Sequence, residues 1–360
     1  MDSTTSRFKG VDEMKAYESL TRRGKLRRTG RIARAALEAY GITEASLRLM
    51  VDAGNTTYRV KAVGPRPVEG SLYVDGCYSL RLHQPGYQNE GAIDSELEWL
   101  HALSEAGLPV PHPLATLEGG LSVEVSVPGV PVARRCSLLR WVKGRMAGKP
   151  VRPWHMNAIG RLIAKLQNHA STWRPPPGFV RRHYDRNGLW GDDTGTGYTA
   201  DEVWPRIPRR FFGAFREVTT RVEEVMEDWG KGPDVYGLIH ADLGTEANVL
   251  FHRGEARAID FDDGGYGYWV YDLAIPLVDL DGNEALPIFR DALLEGYAEI
   301  RSMPEEQLDK LDLFQAAFRA LEIFWGTAST MRFPGSTYWS KRREEAWGHI
   351  RRYLKENPLR

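Results

Sequence analysis

The sequence predicts an α+β protein of two lobes: a small antiparallel β-sheet lobe followed by a larger, mainly helical one. Three observations carry this reading. Short β-branched or aromatic stretches broken by Gly, Pro and Asp crowd residues 45–139. From about residue 140 the apolar residues recur at helical spacing instead. A single strand–turn–strand stretch, "NVLFHRGEARAIDF", interrupts that helical part. The chain is therefore divided into an N-terminal helical extension (1–44), a β-rich lobe (45–139) and a helical lobe (140–360), with a cleft expected between the two lobes.

The elements follow in order. Residues 22–34 carry Arg22, Arg23, Lys25, Arg27, Arg28, Arg31 and Arg34 with no acid among them, and read as a solvated basic helix face. "LRLMVD", "TYRVKAV", "SLYVDG" and "YSLRLH" read as four strands. "AIDSELEWLHALSEAG" has Ile93, Leu97, Leu100 and Leu103 at helical spacing, with Asp94 as N-cap and Gly107 as stop. "VPHPLATLEGGLSVEVSVPG" reads as strands around Gly119-Gly120. "WHMNAIGRLIAKLQNHASTW" is an amphipathic helix with Met156, Ile159, Leu162, Ile163 and Leu166 on one face. A Pro-, Gly- and Asp-rich loop covers 174–200, and helices resume near 205–229 and again from about 284.

Bulk composition excludes several classes. Lys+Arg and Asp+Glu balance at 48 each, so no nucleic-acid partner is implied. Two cysteines, Cys77 and Cys136, cannot build a disulfide framework. The sequence contains no apolar run of the ~20 residues a membrane helix needs, and the N-terminus has no secretory h-region. A cytoplasmic protein, monomer or homodimer, is expected.

The chemistry concentrates around the hairpin. "LIHADLGTEANVLF" precedes it and "IDFDDGGYGYWVYDLA" follows, so His240, Asp242, Asn248 and Asp260 bracket one turn of chain. Asp242 and Asp260, 18 positions apart, can converge at its open end. Phosphoryl transfer needs such a set. One carboxylate takes the proton of an acceptor hydroxyl, while a second carboxylate and an amide oxygen hold Mg²⁺, which prefers hard oxygen ligands.

On these motifs the chain resembles the aminoglycoside phosphotransferase/choline kinase family, the small-molecule branch of the protein-kinase-like fold. Within it, the likeness is to bacterial stress-response or homoserine-type kinases. It spans roughly residues 45–330. "HADLGTEANVLF" looks like the family's catalytic loop, "IDFDD" like its metal-binding strand end and "YDLA" like the following helix start. The resemblance implies Asp242 as catalytic base, with Asn248 and Asp260 as Mg²⁺ ligands. Asp262 assists the metal or contacts the acceptor, and His240 and Asp272 are structural. Asp263 reads as part of a solvated acidic turn.

In the β-rich lobe, "DAGNTTYRV" fits a phosphate-covering turn with Gly54, Asn55, Thr56 and Thr57. Arg81 of "YSLRLH" stands where kinases usually carry lysine, and Glu96 on the next helix is its expected partner. "CSLLRWVKG" (136–144) is the expected hinge, its backbone meeting the adenine edge of ATP and Leu138 or Leu139 packing on the base. One feature departs from the family. Asn248 lies six positions after Asp242 rather than five. Either the extra residue bulges at Gly244 through a positive φ, or Asn248 leaves the metal with Asp260 as its principal ligand, Glu246 being a candidate substitute.

The acceptor is expected beside Asp242, with Asp192, Asp193, Asp279 and Asp281 as candidate acids. The late segment 324–339 adds aromatics to the candidate acceptor site, although Trp190, Trp325 and Trp339 taken singly read as core. Acidic and aromatic groups together suit a cationic amino alcohol or amino sugar. The functional expectation is an ATP- and Mg²⁺-dependent phosphotransferase acting on a hydroxyl of a small molecule such as an amino alcohol, an amino sugar or an aminoglycoside-like antibiotic. A protein Ser/Thr kinase and a nucleotide-binding pseudoenzyme remain open alternatives.

Overall fold

The computed structural model describes residues 19–63, 72–86, 88, 90–245 and 247–358. The chain forms two compact units. Unit 1 contains Met1–Arg66, Asp75–Tyr87 and Leu114–Leu139, and unit 2 contains Pro67–Val74, Gln88–Pro113 and Arg140–Arg360.

Unit 1 opens with helix α1 (Arg22–Ala39), capped by the Thr21 hydroxyl accepting from the Gly24 N–H at 3.2 Å. Strands β1 (Ala45–Ala53), β2 (Asn55–Ala62) and β3 (Tyr73–Leu82) follow, and β4 (Ser122–Val125) and β5 (Arg134–Val142) come after helix α2 (Glu90–Glu105). The five strands form one sheet in the order β1-β2-β3-β5-β4. Ile32, Ala33, Ala36 and Leu37 of α1 share one apolar core with Tyr58, Val60, Leu80, Leu82, Val125, Cys136 and Leu138. Helix α1 thus covers the sheet instead of standing apart as an extension. Its basic face is not wholly solvated either. Arg28 is buried and its guanidinium donates to the Gly129 carbonyl, the long stem covering apolar surface on the way.

Two expected strands merge. "SLYVDG" and "YSLRLH" form the single strand β3, because Gly76 adopts a φ of +64° and carries the chain through a kink beside the Ala62 carbonyl. Helix α2 begins at Glu90, so Asp94 lies inside it and is not the cap; Gly107, at φ +79°, does follow its end. The first half of 110–129 forms no strand. Pro109, Pro111 and Pro113 remove the donors a ladder needs, leaving only β4.

Unit 2 is mainly helical. After α2 come α3 (Pro153–Thr172), the short α4 (Arg186–Trp190) and α5 (Ala200–Val203), and then α6 (Arg209–Trp229). Strand β6 (Tyr236–Ile239), the hairpin β7 (Val249–His252) and β8 (Glu255–Ala258), and β9 (Gly265–Tyr268) follow. The chain ends in α7 (Trp269–Val278), α8 (Leu286–Ala298), α9 (Glu305–Leu308), α10 (Leu311–Arg332) and α11 (Thr337–Glu356). The hairpin turns on Arg253 and Gly254, both with positive φ (51° and 80°), the signature of a tight two-residue turn. Helices α3 and α8 approach so closely that a Cβ on Gly160 or Gly296 would stand 2.0 Å from a carbonyl oxygen of the other helix. Helix α2 is tied into this unit. Its Ser95 hydroxyl accepts from the Val180 N–H (2.8 Å), Arg181 donates to the Ala92 carbonyl (2.8 Å), and Trp99 packs edge-on to Phe261 (5.3 Å). The 45–139 division therefore cuts across the fold, because residues 88–113 belong to the helical unit. No helix among the described residues is long and apolar enough to cross a membrane.

Candidate active site

Strand β6 delivers the chain into the loop 240–248, and β9 pairs antiparallel beside it, bringing 260–264 to the same end of unit 2. The loop's entry is fixed by Asp272 in the first turn of α7, fully buried. Its carboxylate accepts from the backbone N–H of His240 (3.2 Å) and of Ala241 (2.8 Å). Burial lifts the Asp272 carboxyl to about 6, although both amide bonds favour its charge. The His240 ring is likewise fully buried. Its Nε2 lies 3.1 Å from the Ile259 carbonyl, and burial lowers its pKa to about 4, so it serves as a neutral brace against Phe261. Ala241, Asn248 and Asp260 all hold positive φ (64–65°), a conformation that Asn and Asp adopt more readily than Ala.

Asn248 faces Asp242. Its Nδ2 donates to the Asp242 carboxylate at 2.6 Å and to the Asp242 carbonyl at 3.0 Å, which leaves Oδ1 as its group for a cation. The Ile259 N–H bonds the Asn248 carbonyl at 2.9 Å, so the residue before Asp260 is tied to Asn248. The extra loop residue is not absorbed by a positive φ at Gly244. The Ala247 N–H bonds the Gly244 carbonyl (3.3 Å), and the residue with positive φ is Asn248 itself. Glu246, the substitute ligand considered above, lies outside the described residues.

Burial raises the Asp242 carboxyl well above the ordinary carboxylate range. The charges of Asp263, Asp260 and Asp279 push it further up, and the Asn248 bond only partly offsets them. Clustered carboxylates of this kind, with an amide oxygen among them, are the hard, anionic donor set that suits Mg²⁺, and the residues present fit that ion. Asp262 is engaged differently. Its Oδ1 accepts from Gln88 Nε2 (2.8 Å), and its carbonyl is held by Gln88 and by Arg181, each at 2.6 Å. Arg181 is buried and also holds the carbonyls of Phe261 (3.0 Å) and Gly264 (2.5 Å), fixing the whole strand end. The description of Asp263 as a solvated turn residue is corrected. It is partly buried, pairs with Arg182 at 3.4 Å, and is the foremost of the neighbouring charges acting on Asp242.

A cavity of about 330 Å³ opens beside Asp242. Asp263, Arg182, Tyr184, Glu322, Trp325, Trp339 and Arg342 are among the residues that line it, drawn largely from α10, α11 and the segment before α4. Arg182 stacks over the rings of Tyr184 (4.6 Å) and Trp325 (5.5 Å). Glu322 is held by Arg319 at 2.7 Å and by Arg342. Of the four candidate acceptor acids, the structure brings only Asp279 close to the loop, where its carboxylate accepts from the Thr245 hydroxyl at 3.4 Å. Asp192 accepts from the Ala200 N–H instead (2.8 Å), and Asp193 is exposed on the same loop. Asp281 pairs with His349 (3.0 Å) and Arg352 away from the cavity. Trp190 is core, whereas Trp325 and Trp339 line the cavity, as expected of the aromatic segment 324–339 though not of these two residues taken singly. The sequence reading missed Gln88, Arg181, Arg182, Glu322 and Arg342. The adjacent arginines of "VRRHYD" were the one signal available, because two neighbouring guanidiniums in a weakly charged stretch need acceptors.

In unit 1, Gly54 takes φ +77° at the β1–β2 turn, and Asn55 Oδ1 accepts from the Gln84 N–H at 2.8 Å. Thr56 is buried and its hydroxyl donates to Asp52 (3.2 Å), while Thr57 sits opposite Arg81 across the β2–β3 ladder. Arg81 in unit 1 and Glu96 in unit 2 are both buried, at 7% and 1% exposure. Leu138 and Leu139 are buried in β5. The Leu138 carbonyl accepts from the Leu114 N–H and the Arg140 N–H donates to the His112 carbonyl, both at 2.8 Å.

Comparison with known proteins bears on this geometry. The family described as the phosphotransferase enzyme family matches residues 48–308. Amicoumacin kinase of Bacillus subtilis (strain 168) is 25% identical over 290 residues, covering 76% of each chain. Among solved structures, a microcompartment-associated aminopropanol kinase superposes with a TM-score of 0.74 at 27% identity, covering 92% of this chain and 99% of that one. The amicoumacin kinase hAmiN, solved with AMP-PNP, Ca²⁺ and Ami, superposes with a TM-score of 0.67 at 19% identity over 87% and 90% of the chains. The fold is that of the aminoglycoside and choline kinases, α+β and protein-kinase-like.

Proposed function

The chain belongs to the phosphotransferase enzyme family, and on that premise we propose that it is an ATP- and Mg²⁺-dependent kinase acting on a hydroxyl of a compact, amine-bearing small molecule. The observation that carries the reading is the contact of Asn248 with Asp242 at 2.6 Å beside a cavity of about 330 Å³. The likeness to hAmiN, solved with AMP-PNP and Ca²⁺, supports a nucleoside triphosphate and a divalent cation as partners.

Asp242 is the base. It orients the acceptor hydroxyl and takes its proton as the acceptor oxygen bonds to the terminal phosphorus and the bond from that phosphorus to ADP breaks. Asp260 and the Asn248 Oδ1 would hold Mg²⁺, with Asp262 supporting them through the bonded strand end. When bound, the ion neutralises phosphate charge and relieves the carboxylate repulsion around Asp242. Gly54, Asn55, Thr56 and Thr57 cover the phosphates, and Leu139 belongs to the adenine end. Arg81 is assigned to the phosphates with Glu96 as its acid, on the family order of strand cation and then helix carboxylate.

The cavity's own charges refine the acceptor. Arg182 and Arg342 stand among Asp263, Glu322 and Asp242, and each is paired with one of these acids. So balanced a lining, with Trp325 and Trp339, favours one amine on an aromatic wall over a polycation. The small volume disfavours a protein acceptor. The contact of Asn248 with Asp242 at 2.6 Å supports an active enzyme over a pseudoenzyme.

The test is Mg²⁺-dependent ATP turnover across amino alcohols, amino sugars, aminoglycosides and protein acceptors, with Asp242→Ala alongside. Turnover of a compact amino alcohol, abolished by the substitution, supports the reading. Turnover unaffected by Asp242→Ala, or ATP binding with no turnover on any acceptor, overturns it.

A further inference from the structure

His101, Glu105 and His112 play no part in the phosphotransfer site, yet they stand together. His101 and Glu105 are four residues apart in the last turns of α2 and share a helix face. His112 stands on the return segment. Gly107 ends the helix at φ +79°, the Leu108 N–H bonds the Leu103 carbonyl at 3.0 Å, and Pro111 and Pro113 flank the histidine. The His112 carbonyl accepts from the Arg140 N–H at 2.8 Å, and its Nδ1 lies 2.8 Å from the Ser104 hydroxyl. The backbone of this residue is thereby fixed, and a metal ion would be taken by Nε2, or by Nδ1 in place of the Ser104 hydroxyl.

The other two side chains converge on it. His112 Nδ1 is 4.0 Å from the Glu105 carboxylate, and the His101 and His112 ring centroids are 5.5 Å apart. One ligand atom from each of the three lies within 4.8 Å of the others. Bonds of about 2.0–2.1 Å to a tetrahedral Zn²⁺ put neighbouring ligand atoms about 3.4 Å apart. His101 and Glu105 are exposed, so rotamer adjustment of these two around a fixed His112 supplies the remaining contraction. Two imidazoles and one carboxylate make a mixed N/O set. It suits borderline transition-metal cations, whereas Mg²⁺ and Ca²⁺ prefer all-oxygen cages.

We propose that His101, Glu105 and His112 form a binding site for one divalent transition-metal ion of the Zn²⁺ type, with water completing its coordination. Occupancy ties the C-terminal end of α2, the helix that carries Glu96, to the segment bonded to Arg140.

The experiment titrates Zn²⁺ into chelator-treated full-length protein by calorimetry, with Co²⁺ absorption as a report on ligand type. Wild type, His101→Ala, His112→Ala, Glu105→Gln and Asp260→Asn are compared. The expected result is one Zn²⁺ per chain and Co²⁺ bands of a nitrogen-containing low-coordinate site. Affinity should fall at least tenfold in either histidine variant, fall less in Glu105→Gln and stay unchanged in Asp260→Asn. Absence of saturable binding in the wild type overturns the proposal, as does binding that survives both histidine substitutions or is lost in Asp260→Asn. None of these outcomes depends on phosphotransferase turnover, so the assignment stands or falls separately from that activity.

Discussion

Replacing the proposed base with its amide should stabilise the protein while disabling it, and the size of the gain can be worked from the structure. Asp242 sits among Asp263, Asp260 and Asp279, all of which raise its pKa by their charge. At an effective dielectric of about 20, like charges separated by about 5–10 Å repel by roughly 1.7–3.3 kcal/mol. Three such pairs bound the effect from above. Partial protonation of Asp242 and screening reduce it, leaving about 1–3 kcal/mol. In Asp242→Asn the shape is kept, and the amide oxygen can still accept the Asn248 N–H now donated at 2.6 Å. At about 2 °C per kcal/mol for a chain of this size, Tm should rise by about 2–6 °C in metal-free buffer. Mg²⁺ should narrow the gap by relieving the same repulsion in the wild type. Turnover should fall by about 10²–10⁴, the worth of a positioned general base. Differential scanning calorimetry with and without Mg²⁺, beside steady-state assays, measures both quantities. Most substitutions destabilise, so the sign is diagnostic. A variant less stable than wild type that retains turnover within tenfold refutes the account of Asp242.

Three further outcomes follow from the same reasoning. Asp272→Ala leaves the buried N–H groups of His240 and Ala241 without their acceptor. At about 1–3 kcal/mol for each orphaned donor, chemical denaturation should show a loss of about 2–5 kcal/mol, and turnover should fall with the loop's order. Gly160→Ala would drive a methyl to 2.0 Å from the Leu293 carbonyl. Helices α3 and α8 must then separate, at a cost of at least about 2–3 kcal/mol, visible as a lowered Tm with KM for the acceptor little changed. Asp185 caps α4 through the Gly188 N–H (3.0 Å) and pairs with Lys231 (2.6 Å). Burial raises its carboxyl, but the bonds to Lys231 and Gly188 outweigh it and the net shift is downward. A depressed folded-state pKa contributes stability that is present above the ordinary carboxylate value and is lost as pH falls through the folded one. Asp185→Asn should therefore flatten the acid limb of the stability curve below about pH 4, and an unchanged limb would refute the pairing.

Much of this fold was legible because local chemistry and global packing agree in it. The Arg253-Gly254 turn between β-patterned flanks reads directly as a hairpin, and both residues do take positive φ. The helices 153–172 and 209–229 follow from their apolar spacing. Errors arose where a cue had two meanings. Gly76 reads as a break, yet in β3 it is a kink within a continuous ladder. The arginines of α1 read as a solvated face, because nothing local announces that Gly129, 101 positions away, supplies an acceptor for Arg28. In the site, Asp242, Asn248 and Asp260 stand out by spacing. Asp263 and Asp262 carry no local mark that tells the cavity-facing carboxylate from the strand-end one; the difference is made by Arg181, Arg182 and Gln88, more than 70 positions distant. Trp325 and Trp339, taken singly, read as core for a similar reason, since helical periodicity does not distinguish a core wall from a cavity wall.

The loop that holds the additional residue between Asp242 and Asn248 is clamped at both ends. Asp272 clamps the entry at His240 and Ala241, and the Ile259 N–H clamps the exit at the Asn248 carbonyl. Between the clamps, Thr245 bonds Asp279, and the chain turns from Gly244 to Ala247, which is exposed. Gly244 contributes smallness, not left-handedness: a Cβ there would meet the Asp279 carboxylate at 3.0 Å. Left-handed backbone falls on Asn248, the residue type that accepts it with little penalty, and its φ of +64° accompanies an amide aimed back at Asp242. Loop length and catalytic geometry are thereby separated. The bonds at His240, Ala241 and Asn248 lie outside the stretch from Gly244 to Ala247.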